Sequence, residues 1–318
     1  MIRKDKHLIA CFVFAAAAIA TGLLVENAYY LQVMIFIGIN TLLALSLNML
    51  MGYAGQISLG HAAFYGIGAY TSAILSTTYN ISPWLALPAA VFTAMAIAYV
   101  VGRPTLRLTG YYLAMGTLGF GIIVNIIFRE WHSVTGGASG FVGIPPLEIG
   151  SFAFDTDRRY FFLVWGVVLF FFIICRRIID SRVGRALRAI HDGEHAAAAV
   201  GVDTAKMKLK IFVLSAAMAS LAGFLYAHQI FFISPGTFSF LASIRIVTMV
   251  VIGGMASIWG SLLGASLLTL LPEWLHAFAD YEMMVYGLVL MLVMIFLPQG
   301  LTRGILDIYE NSRKKNDK

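Results

Sequence analysis

Long uncharged stretches recur along this chain, and they constrain its fold more than any other feature. The longest runs from Asn27 to Gly102 without a single Asp, Glu, Lys or Arg. About 20 apolar residues suffice for a helix to cross a bilayer. Hydrophobic residues make up 60% of the chain and charged residues 12%, against about 45–50% and about 25% in soluble globular proteins. The sequence therefore predicts an all-α, polytopic transmembrane helical bundle.

The apolar pattern predicts about ten membrane spans in a single transmembrane domain that covers residues 1–318. The basic start resembles a signal peptide, but the first uncharged run, Leu8–Val25, has 18 residues, and a signal core has about 7–15. We therefore favour an uncleaved first span. The region 241–271 is interpreted as two spans or as two half-helices. The predicted spans are 8–25, 31–50, 61–78, 84–101, 111–128, 160–175, 209–229, 241–256, 258–271 and 283–298.

The positive charges predict the orientation of these spans. With the N-terminus inside, most of the 22 Lys and Arg residues lie in cytoplasmic segments, as the positive-inside rule requires. Both termini are thus expected in the cytoplasm, with an extracytoplasmic loop at 129–159, a cytoplasmic loop at 176–208 and a cytoplasmic tail at 300–318. Four basic residues fall outside, namely Arg129, Arg158, Arg159 and Arg245. The last of these, Arg245, lies near the outer end of its predicted span.

The predicted cytoplasmic loop carries two short helical patterns separated by a glycine. Arg182, Arg185 and Arg188 recur every three residues, which places them on one helix face. After Gly193, the Ala-rich segment EHAAAAVG has high helix propensity and stops at Gly201. A solvated basic loop beside anionic lipid is one interpretation. A docking element is the other, because a surface of small Ala side chains lets another protein approach closely.

This loop resembles the cytoplasmic coupling loop of importer permeases of the ATP-binding-cassette (ABC) class. Their signature is Glu-Ala-Ala, three further residues and Gly, which appears here as Glu194, Ala196, Ala197 and Gly201, with His195 inserted. The segments GRALRAI, GYAGQISLGHAAFYGIGAY and VVIGGMASIWGSLLGA are similar to the branched-chain amino acid permeases of that class, in particular to the second of their two paired permease subunits. The resemblance extends roughly from residue 31 to residue 298.

The resemblance implies a multi-pass permease of the bacterial inner membrane that translocates leucine, isoleucine or valine. It implies a paralogous permease as partner, two ATPase subunits that use the ATP, and an extracytoplasmic binding protein that delivers the substrate; no cofactor is expected on this chain. Relatives that move urea or short amides carry similar glycine patterns, so such a permease stays an alternative. The resemblance assigns ATPase coupling to Gly184, Arg185, Arg188, Glu194, Ala196, Ala197 and Gly201.

Glycine and uncharged polar residues interrupt the longest apolar run, in the stretch GYAGQISLG (52–60). Non-helical backbone at membrane depth is tolerated where protein buries it or it lines a cavity, and transporters bind substrate at such breaks. A pathway or gate is therefore one interpretation, and a cytoplasmic turn with close packing of small residues is the other. The candidate pathway or gate residues are Gly55, Gln56, Ser58, Gly60 and His61.

The same stretch matches a second segment of the chain. A shift of 176 residues aligns ISLGHAAF (57–64) with ISPGTFSF (233–240), with four identities in eight positions. In the predicted topology the two copies lie on opposite sides of the membrane. Spans 2–5 and 7–10 then form an inverted repeat, a plan that many transporters share. The repeat adds Ser234 and Gly236 to the candidate pathway residues.

Other classes of function find little support in the sequence. No G-x-x-x-x-G-K-[ST] motif is present, so the chain is not expected to hydrolyse ATP, and neither a metal site nor a catalytic triad suggests an enzyme. An ion-coupled secondary transporter generally holds ionisable residues inside the membrane, and no Asp, Glu or Lys lies well inside a predicted span. Topology explains the net charge of +6, so no nucleic-acid partner is expected.

Overall fold

The computed structural model describes residues 18–150 and 152–274, together with the single positions 14, 16, 284, 287, 288, 291, 295 and 301. The predicted span 283–298, the predicted tail 300–318 and the start of the predicted span 8–25 lie outside the described ranges. The described residues are predominantly helical, as expected for a transmembrane bundle. Residues 18–24 form the first described helical segment.

Each predicted span from the second to the ninth overlaps one helix, although several helices extend beyond the predicted ends. In the described part of the chain, five helices are long and apolar enough to cross a membrane, namely α1, α3, α4, α6 and α9. The helices are α1 (Ala28–Ala54), α2 (His61–Thr77), α3 (Pro83–Thr105), α4 (Gly110–Glu130), α5 (His132–Thr135), α6 (Asp157–Asp180), α7 (Arg182–Asp192), α8 (Glu194–Ala199), α9 (Thr204–Ile230), α10 (Phe240–Gly253) and α11 (Ile258–Trp274).

Helices α1 and α9 form the centre of the bundle. Their most apolar windows are 83% and 67% buried, whereas those of α3, α4 and α6 are 28% buried. The two central helices run antiparallel, because Phe36 of α1 contacts Tyr226 of α9, and the later Ser46 contacts the earlier Ser215. The surrounding helices present apolar side chains on the outside of the bundle, among them Phe92, Val100, Met115, Ile126 and Phe170.

Small side chains let the central helices approach closely. A Cβ at Gly68 of α2 would lie 2.1 Å from the carbonyl oxygen of Ser220 in α9. Helix α3 buries an alanine at every fourth residue from Ala86 to Ala98, and Ser220 donates a hydrogen bond of 3.0 Å to the carbonyl oxygen of Ala90. Close backbone packing of this kind holds helices together where lipid gives no hydrophobic driving force between them.

Helices α2 and α10 begin inside the bundle rather than at its ends. At the start of α2, Nε2 of His61 lies 2.6 Å from Oγ of Ser46 in α1. Ser46 is eight residues before the end of α1, so it lies about 12 Å from that end at the rise of an α-helix. The backbone N–H of Ala62 donates to Oγ of Ser243 in α10 at 3.0 Å. The chain therefore turns back into the bundle after α1 and after α9. We call these two segments the first break (residues 55–60) and the second break (residues 231–239).

The 129–159 loop folds against one end of the bundle. His228 Nδ1 lies 2.8 Å from the carbonyl oxygen of Pro145, which holds the loop on the last turns of α9. The loop contributes three strands to two short antiparallel pairs, and the fourth strand belongs to the second break. The all-α expectation missed these pairs, because two-residue strands leave no alternating pattern in the sequence. The pairs are β1 (Phe141–Val142) with β4 (Phe232–Ile233), and β2 (Glu148–Ile149) with β3 (Phe152–Ala153).

Candidate functional site

Helices α7 and α8 are the two short helices that the sequence predicts in the 176–208 loop, and Gly193 separates them. Helix α7 is amphipathic. Leu187 and Ile190 are buried against the bundle, whereas Arg182 and Arg185 are exposed on the opposite face. The buried pair anchors α7, and its basic face stays available at the surface of the molecule.

The start of α7 is fixed to the end of α6. A Cβ at Gly184 would lie 2.1 Å from the carbonyl oxygen of Ile179, so the two backbones approach as closely as they do because the residue is glycine. The guanidinium of Arg188 donates to the carbonyl oxygens of Ile179 and Gly184, at 3.0 and 3.3 Å. Gly184 and Arg188 therefore set the angle between α6 and α7.

Helix α8 ends in a turn that favours glycine. Gly201 has φ +87°, a left-handed conformation that L side chains rarely adopt. Its N–H donates to the carbonyl oxygen of Ala198, and the N–H of Val202 donates to that of Ala197, as in a Schellman cap. Of the predicted small-residue surface, Ala196 is exposed and Ala197 is buried, so Ala196 shapes the surface and Ala197 packs inside.

An ion pair ties α8 to the centre of the bundle. Nζ of Lys208 in α9 lies 2.8 and 2.9 Å from the two carboxylate oxygens of Glu194. The Lys208 side chain is 6% exposed and that of Glu194 is 34% exposed. The pair Asp203–Lys206 at the start of α9 is much more exposed, and there a hydrogen bond from Lys206 lowers the pKa of the Asp203 carboxyl. Glu194 is therefore a structural link as well as a part of the signature.

The last turn of α7 contacts the first break. A Cβ at Gly55 would lie 3.1 Å from Nδ1 and 3.3 Å from Cα of His191. Gly55 ends α1 in the left-handed conformation, with φ +67°. It is the residue at which the chain leaves α1 and turns back into the bundle. A displacement of α7 would therefore act directly on the start of the first break.

Polar side-chain atoms in the first break and at the start of α2 are buried without a partner among the described residues. Gln56, Ser58 and His61 are 3%, 2% and 1% exposed. Both polar side-chain atoms of Gln56, Oγ of Ser58 and Nδ1 of His61 form no hydrogen bond with any residue that the structure describes. A buried polar atom left unpaired costs about 1–3 kcal/mol. Water or a polar molecule in transit would complete these hydrogen bonds, which distinguishes the segment from an ordinary tight turn.

Helix α4 closes one side of the first break. A Cβ at Gly60 would lie 2.1 Å from the carbonyl oxygen of Thr117, and the N–H of Leu59 donates to Oγ1 of Thr117 at 3.0 Å. The close approach of Gly60 to α4 thus requires glycine. Close packing thus accounts for the glycine at position 60, and the polar residues beside it remain candidates for a gate.

The second break is more open than the first. Ser234 is half-buried and Gly236 is exposed. Oγ of Ser234 lies 3.4 Å from Oγ1 of Thr237, and Asn125 of α4 donates a hydrogen bond of 2.7 Å to the carbonyl oxygen of Pro235. The candidate pathway residues therefore fall into two groups, one after each central helix. The helices that follow them, α2 and α10, meet near their starts, where the N–H of Ala62 donates to Oγ of Ser243.

Several residues of this region were not expected from the sequence. Ser46 joins three helices, because its Oγ contacts His61 of α2 at 2.6 Å and its carbonyl oxygen accepts from Ser215 of α9 at 2.7 Å. Lys208 and Glu194 lie 14 residues apart on two helices. No local spacing rule connects such partners, so only the tertiary structure reveals them. Among the described residues, no group of His, Cys, Asp and Glu is placed to hold a metal ion.

Arg245 lies deeper in the bundle than the predicted topology placed it. The sequence pattern put it near the outer end of a span that begins at residue 241. Helix α10 instead begins inside the bundle, where Ser243 contacts the first turn of α2. Arg245 follows Ser243 by two residues, about 3 Å along the helix. Hydropathy alone missed this depth, because it records how apolar a segment is and not where the helix begins.

Comparisons with known proteins identify the family. Residues 29–294 match the family described as branched-chain amino acid transport system / permease component. The high-affinity branched-chain amino acid transport system permease protein LivM of Escherichia coli (strain K12) is 37% identical over 284 residues, which cover 82% of this chain and 67% of that protein.

Two further permease proteins of high-affinity branched-chain amino acid transport systems are similar to the chain. LivH of Salmonella typhimurium (strain LT2) is 27% identical, over 86% of this chain and 95% of that protein. BraD of Pseudomonas aeruginosa is 28% identical, over 82% and 90%. No solved structure matches the chain. The match over residues 29–294 and the long apolar helices lead to one conclusion: the chain is a multi-pass membrane protein that belongs to the family of permease components of branched-chain amino acid transport systems.

Proposed function

We propose that this chain is one of two paired permease subunits of an ATP-driven importer, and that it translocates leucine, isoleucine or valine across the bacterial inner membrane. A paralogous permease, two ATPase subunits and an extracytoplasmic binding protein complete the transporter. ATP is bound and hydrolysed by the ATPase subunits, and this chain carries no cofactor. The higher identity to LivM, 37%, than to LivH, 27%, supports its assignment as the second of the paired subunits.

One observation carries the proposal: the predicted coupling helices are tied to the bundle, and one of them, α7, contacts the first break. Helix α8 is held to α9 by the Glu194–Lys208 ion pair, and α7 contacts Gly55 through His191. An ATPase that docks on the exposed basic face of α7 would therefore move a segment in which Gln56 and Ser58 are buried without a hydrogen-bond partner among the described residues. We propose that the first break is the gate on the ATPase side and that the second break borders the opposite end of the same pathway.

We further propose ten spans with both termini in the cytoplasm, and an inverted repeat of spans 2–5 and 7–10. The shift of 176 residues maps both ends of α1 (Ala28–Ala54) onto both ends of α9 (Thr204–Ile230). The N-cap residues correspond as well, because the side chains of Asn27 and Asp203 both accept a backbone N–H. The C-cap residues correspond too: Gly55 and Phe231 both adopt the left-handed conformation, with φ of +67° and +60°.

The packing of the helices supports the same repeat. Helix α9 packs against α2 and α3, and α1 packs against their counterparts α10 and α11. In an experimental structure of the complex, superposing spans 2–5 on spans 7–10 should need a rotation close to two-fold about an axis in the membrane plane, as in other inverted repeats. It should bring Ser58 near Ser234. A superposition that leaves the two breaks in unrelated places would contradict the repeat.

A competition assay tests the substrate class. Vesicles that contain the complete transporter would be supplied with labelled leucine, the binding protein outside and ATP inside. Unlabelled isoleucine and valine should reduce the uptake of label, whereas urea and acetamide at the same concentration should not. Efficient competition by urea would replace the amino acid assignment by the urea or amide alternative, and no feature of the described residues favours that alternative.

A further inference from the structure

A pair of strands joins the 129–159 loop to the second break. We call residues 131–149 of this loop the strap. Its strand β1 runs antiparallel to β4, which belongs to the second break, and the paired residues are Phe141 with Ile233 and Val142 with Phe232. A Cβ at Gly140, just before β1, would lie 2.6 Å from the carbonyl oxygen of Ile233. The backbones of the strap and of the second break are therefore in direct contact.

The strap is also anchored to helices outside the second break. The indole N–H of Trp84 in α3 donates to the carbonyl oxygen of Glu148 at 2.8 Å. Oγ1 of Thr135 donates to the carbonyl oxygen of Phe128 in α4 at 2.7 Å, and α9 holds Pro145 as described above. These anchors keep the strap across the end of the bundle, where β1 reaches the second break.

The second break is closed where the strap meets it. Although Gly236 is exposed, Ile233 and Phe238 are 0% and 2% exposed. The ring of Phe238 packs among four other aromatic rings, those of Tyr65, Tyr70, Phe128 and Tyr226. The paired strands and this aromatic cluster together hold the second break against the bundle.

Two polar atoms are buried at this closure without a hydrogen-bond partner among the described residues. They are Nε2 of His228, whose other ring nitrogen contacts the strap, and Oη of Tyr70, whose ring packs against Phe238. Burial of an unpaired polar atom costs free energy that water or a polar solute would return. The closed arrangement therefore carries a cost that opening to water relieves.

The contact between β1 and β4 is small enough to be reversible. A two-stranded pair is at best marginally stable by itself, and each of these strands has two residues. Val142 is 67% exposed and its partner Phe232 is 40% exposed, so this cross-strand pair buries little apolar surface. Segments held by few buried contacts open at a small fraction of the free energy that unfolds the whole molecule.

We propose that the strap is a lid on the second break: transport requires β1 to separate from β4, and renewed pairing of the two strands closes this end of the pathway. The anchors on α3, α4 and α9 stay in place while β1 moves. This inference rests on the proposed function, which puts the second break at one end of the pathway. It assigns the opposite end from the ATPases its own closing element.

A reversible cross-link between the two strands tests the lid. Val142→Cys and Phe232→Cys would be combined in a background in which Cys11 and Cys175 are replaced by Ser. Residues directly opposite each other in an antiparallel pair have Cα atoms about 4.5–5.5 Å apart, within the range of a disulfide. Oxidation should lower leucine uptake by the complete transporter at least about tenfold, because the lid then cannot open, and a reductant should restore uptake.

The other strand pair of the loop supplies the matched control. Glu148 of β2 faces Ala153 of β3, and this pair does not include the second break. Glu148→Cys combined with Ala153→Cys should form a disulfide of the same kind and should transport equally well oxidised and reduced. Equal uptake by the oxidised and reduced forms of the Val142→Cys and Phe232→Cys variant, with its disulfide verified, would overturn the proposal.

Accessibility of a buried position tests the lid without a cross-link. Ile233→Cys, in the same background, places one thiol in β4 where the native side chain is 0% exposed. An impermeant thiol reagent should modify it slowly in the resting transporter, since a minor open state is populated to about 0.1–10%. ATP together with the loaded binding protein should accelerate modification at least about tenfold. An equal rate at rest and during transport would contradict the lid.

Two glycines of the strap make this measurement sharper. Gly140 and Gly143 have φ of +83° and +78°, so alanine is strained at both. A Cβ at Gly140 would also press on Ile233, whereas one at Gly143 would meet no atom of the described residues within 4 Å. Gly140→Ala should therefore speed modification of the thiol at position 233 in the resting transporter, and Gly143→Ala should not. Equal rates in the two variants would count against the lid.

The outcomes separate this inference from the proposed function. If the wild-type transporter takes up leucine and the thiol at position 233 reacts equally fast at rest and during transport, the lid is wrong and the proposed function stands. If the wild-type transporter takes up urea and no leucine, the substrate assignment fails. The cross-link between β1 and β4 should then still block uptake of urea, because the lid closes the pathway and does not select the substrate.

Discussion

At the scale of single residues, the first break depends on how closely two backbones approach. Because a Cβ at Gly60 would lie 2.1 Å from the carbonyl oxygen of Thr117, Gly60→Ala must push α4 away. We expect a loss of about 1–3 kcal/mol of stability, as for overpacked cores, and impaired transport. Thermal unfolding of the purified complex and leucine uptake measure the two effects.

The control for Gly60→Ala lies on α4 itself. A Cβ at Gly119 would meet no atom of the described residues within 4 Å, and alanine has a higher helix propensity than glycine. Gly119→Ala should therefore unfold at the same temperature as the wild type or slightly above it. A melting temperature for Gly60→Ala as high as that of Gly119→Ala would show that the close approach to Thr117 is not required.

The Glu194–Lys208 pair leads to a different residue-scale prediction. Glu194→Ala leaves the buried ammonium of Lys208 without its carboxylate. We expect the free energy of unfolding to fall by about 1–3 kcal/mol, which is less than the usual cost of breaking a fully buried ion pair because Glu194 is partly exposed. Lys208→Met in the same chain should recover most of the loss, because it removes the unpaired charge. Chemical denaturation of the single and double variants measures the coupling.

An exposed ion pair serves as the control for Glu194→Ala. Arg176 and Asp180 lie four residues apart on α6, with side chains 32% and 58% exposed, and exposed pairs of this spacing contribute about 0.3–0.5 kcal/mol. Asp180→Asn should therefore change stability little. If Glu194→Ala were equally mild, Glu194 would be a peripheral charge and not a link between α8 and the bundle.

At the scale of elements, the cap of α8 decides how the coupling helices are presented. Gly201→Val forces a β-branched residue into the left-handed region at φ +87°, so α8 should lose its Schellman cap. We expect the variant to insert into the membrane but to bind the ATPases weakly or stimulate them little. ATPase stimulation and co-purification of the ATPases measure this. Gly201→Asn should be nearly normal, because Asn tolerates the left-handed conformation. Normal coupling in Gly201→Val would remove α8 from the docking surface.

The sequence was sufficient to predict the helices but not their depth. Apolar runs and flanking charges located α1 to α4 and α6, and the Ala-rich segment and Gly201 located α8, because these signals are local. That α10 begins inside the bundle, and that Arg245 lies deep in it, follows from the contact between Ala62 and Ser243, which are 181 residues apart. The same is true of the Ser46 contacts and the Glu194–Lys208 pair, since tertiary packing alone brings them together.

At the scale of the whole molecule, labelling tests the orientation. Ser139 in the 129–159 loop is exposed, and Val200 beyond α8 is 78% exposed. In a background without Cys11 and Cys175, Ser139→Cys should react with an impermeant thiol reagent in intact cells, and Val200→Cys only after the membrane is permeabilised. Reaction of both in intact cells would contradict the proposed topology.

The energy source of transport tests the central claim most directly. The quantity to measure is the initial rate of leucine uptake into vesicles that contain both permeases and both ATPases, with the binding protein outside. We predict rapid uptake with ATP inside, and none when a proton gradient replaces ATP or when the ATPases are omitted. Gradient-driven uptake by this chain without the ATPases would contradict the account and would make it a secondary transporter.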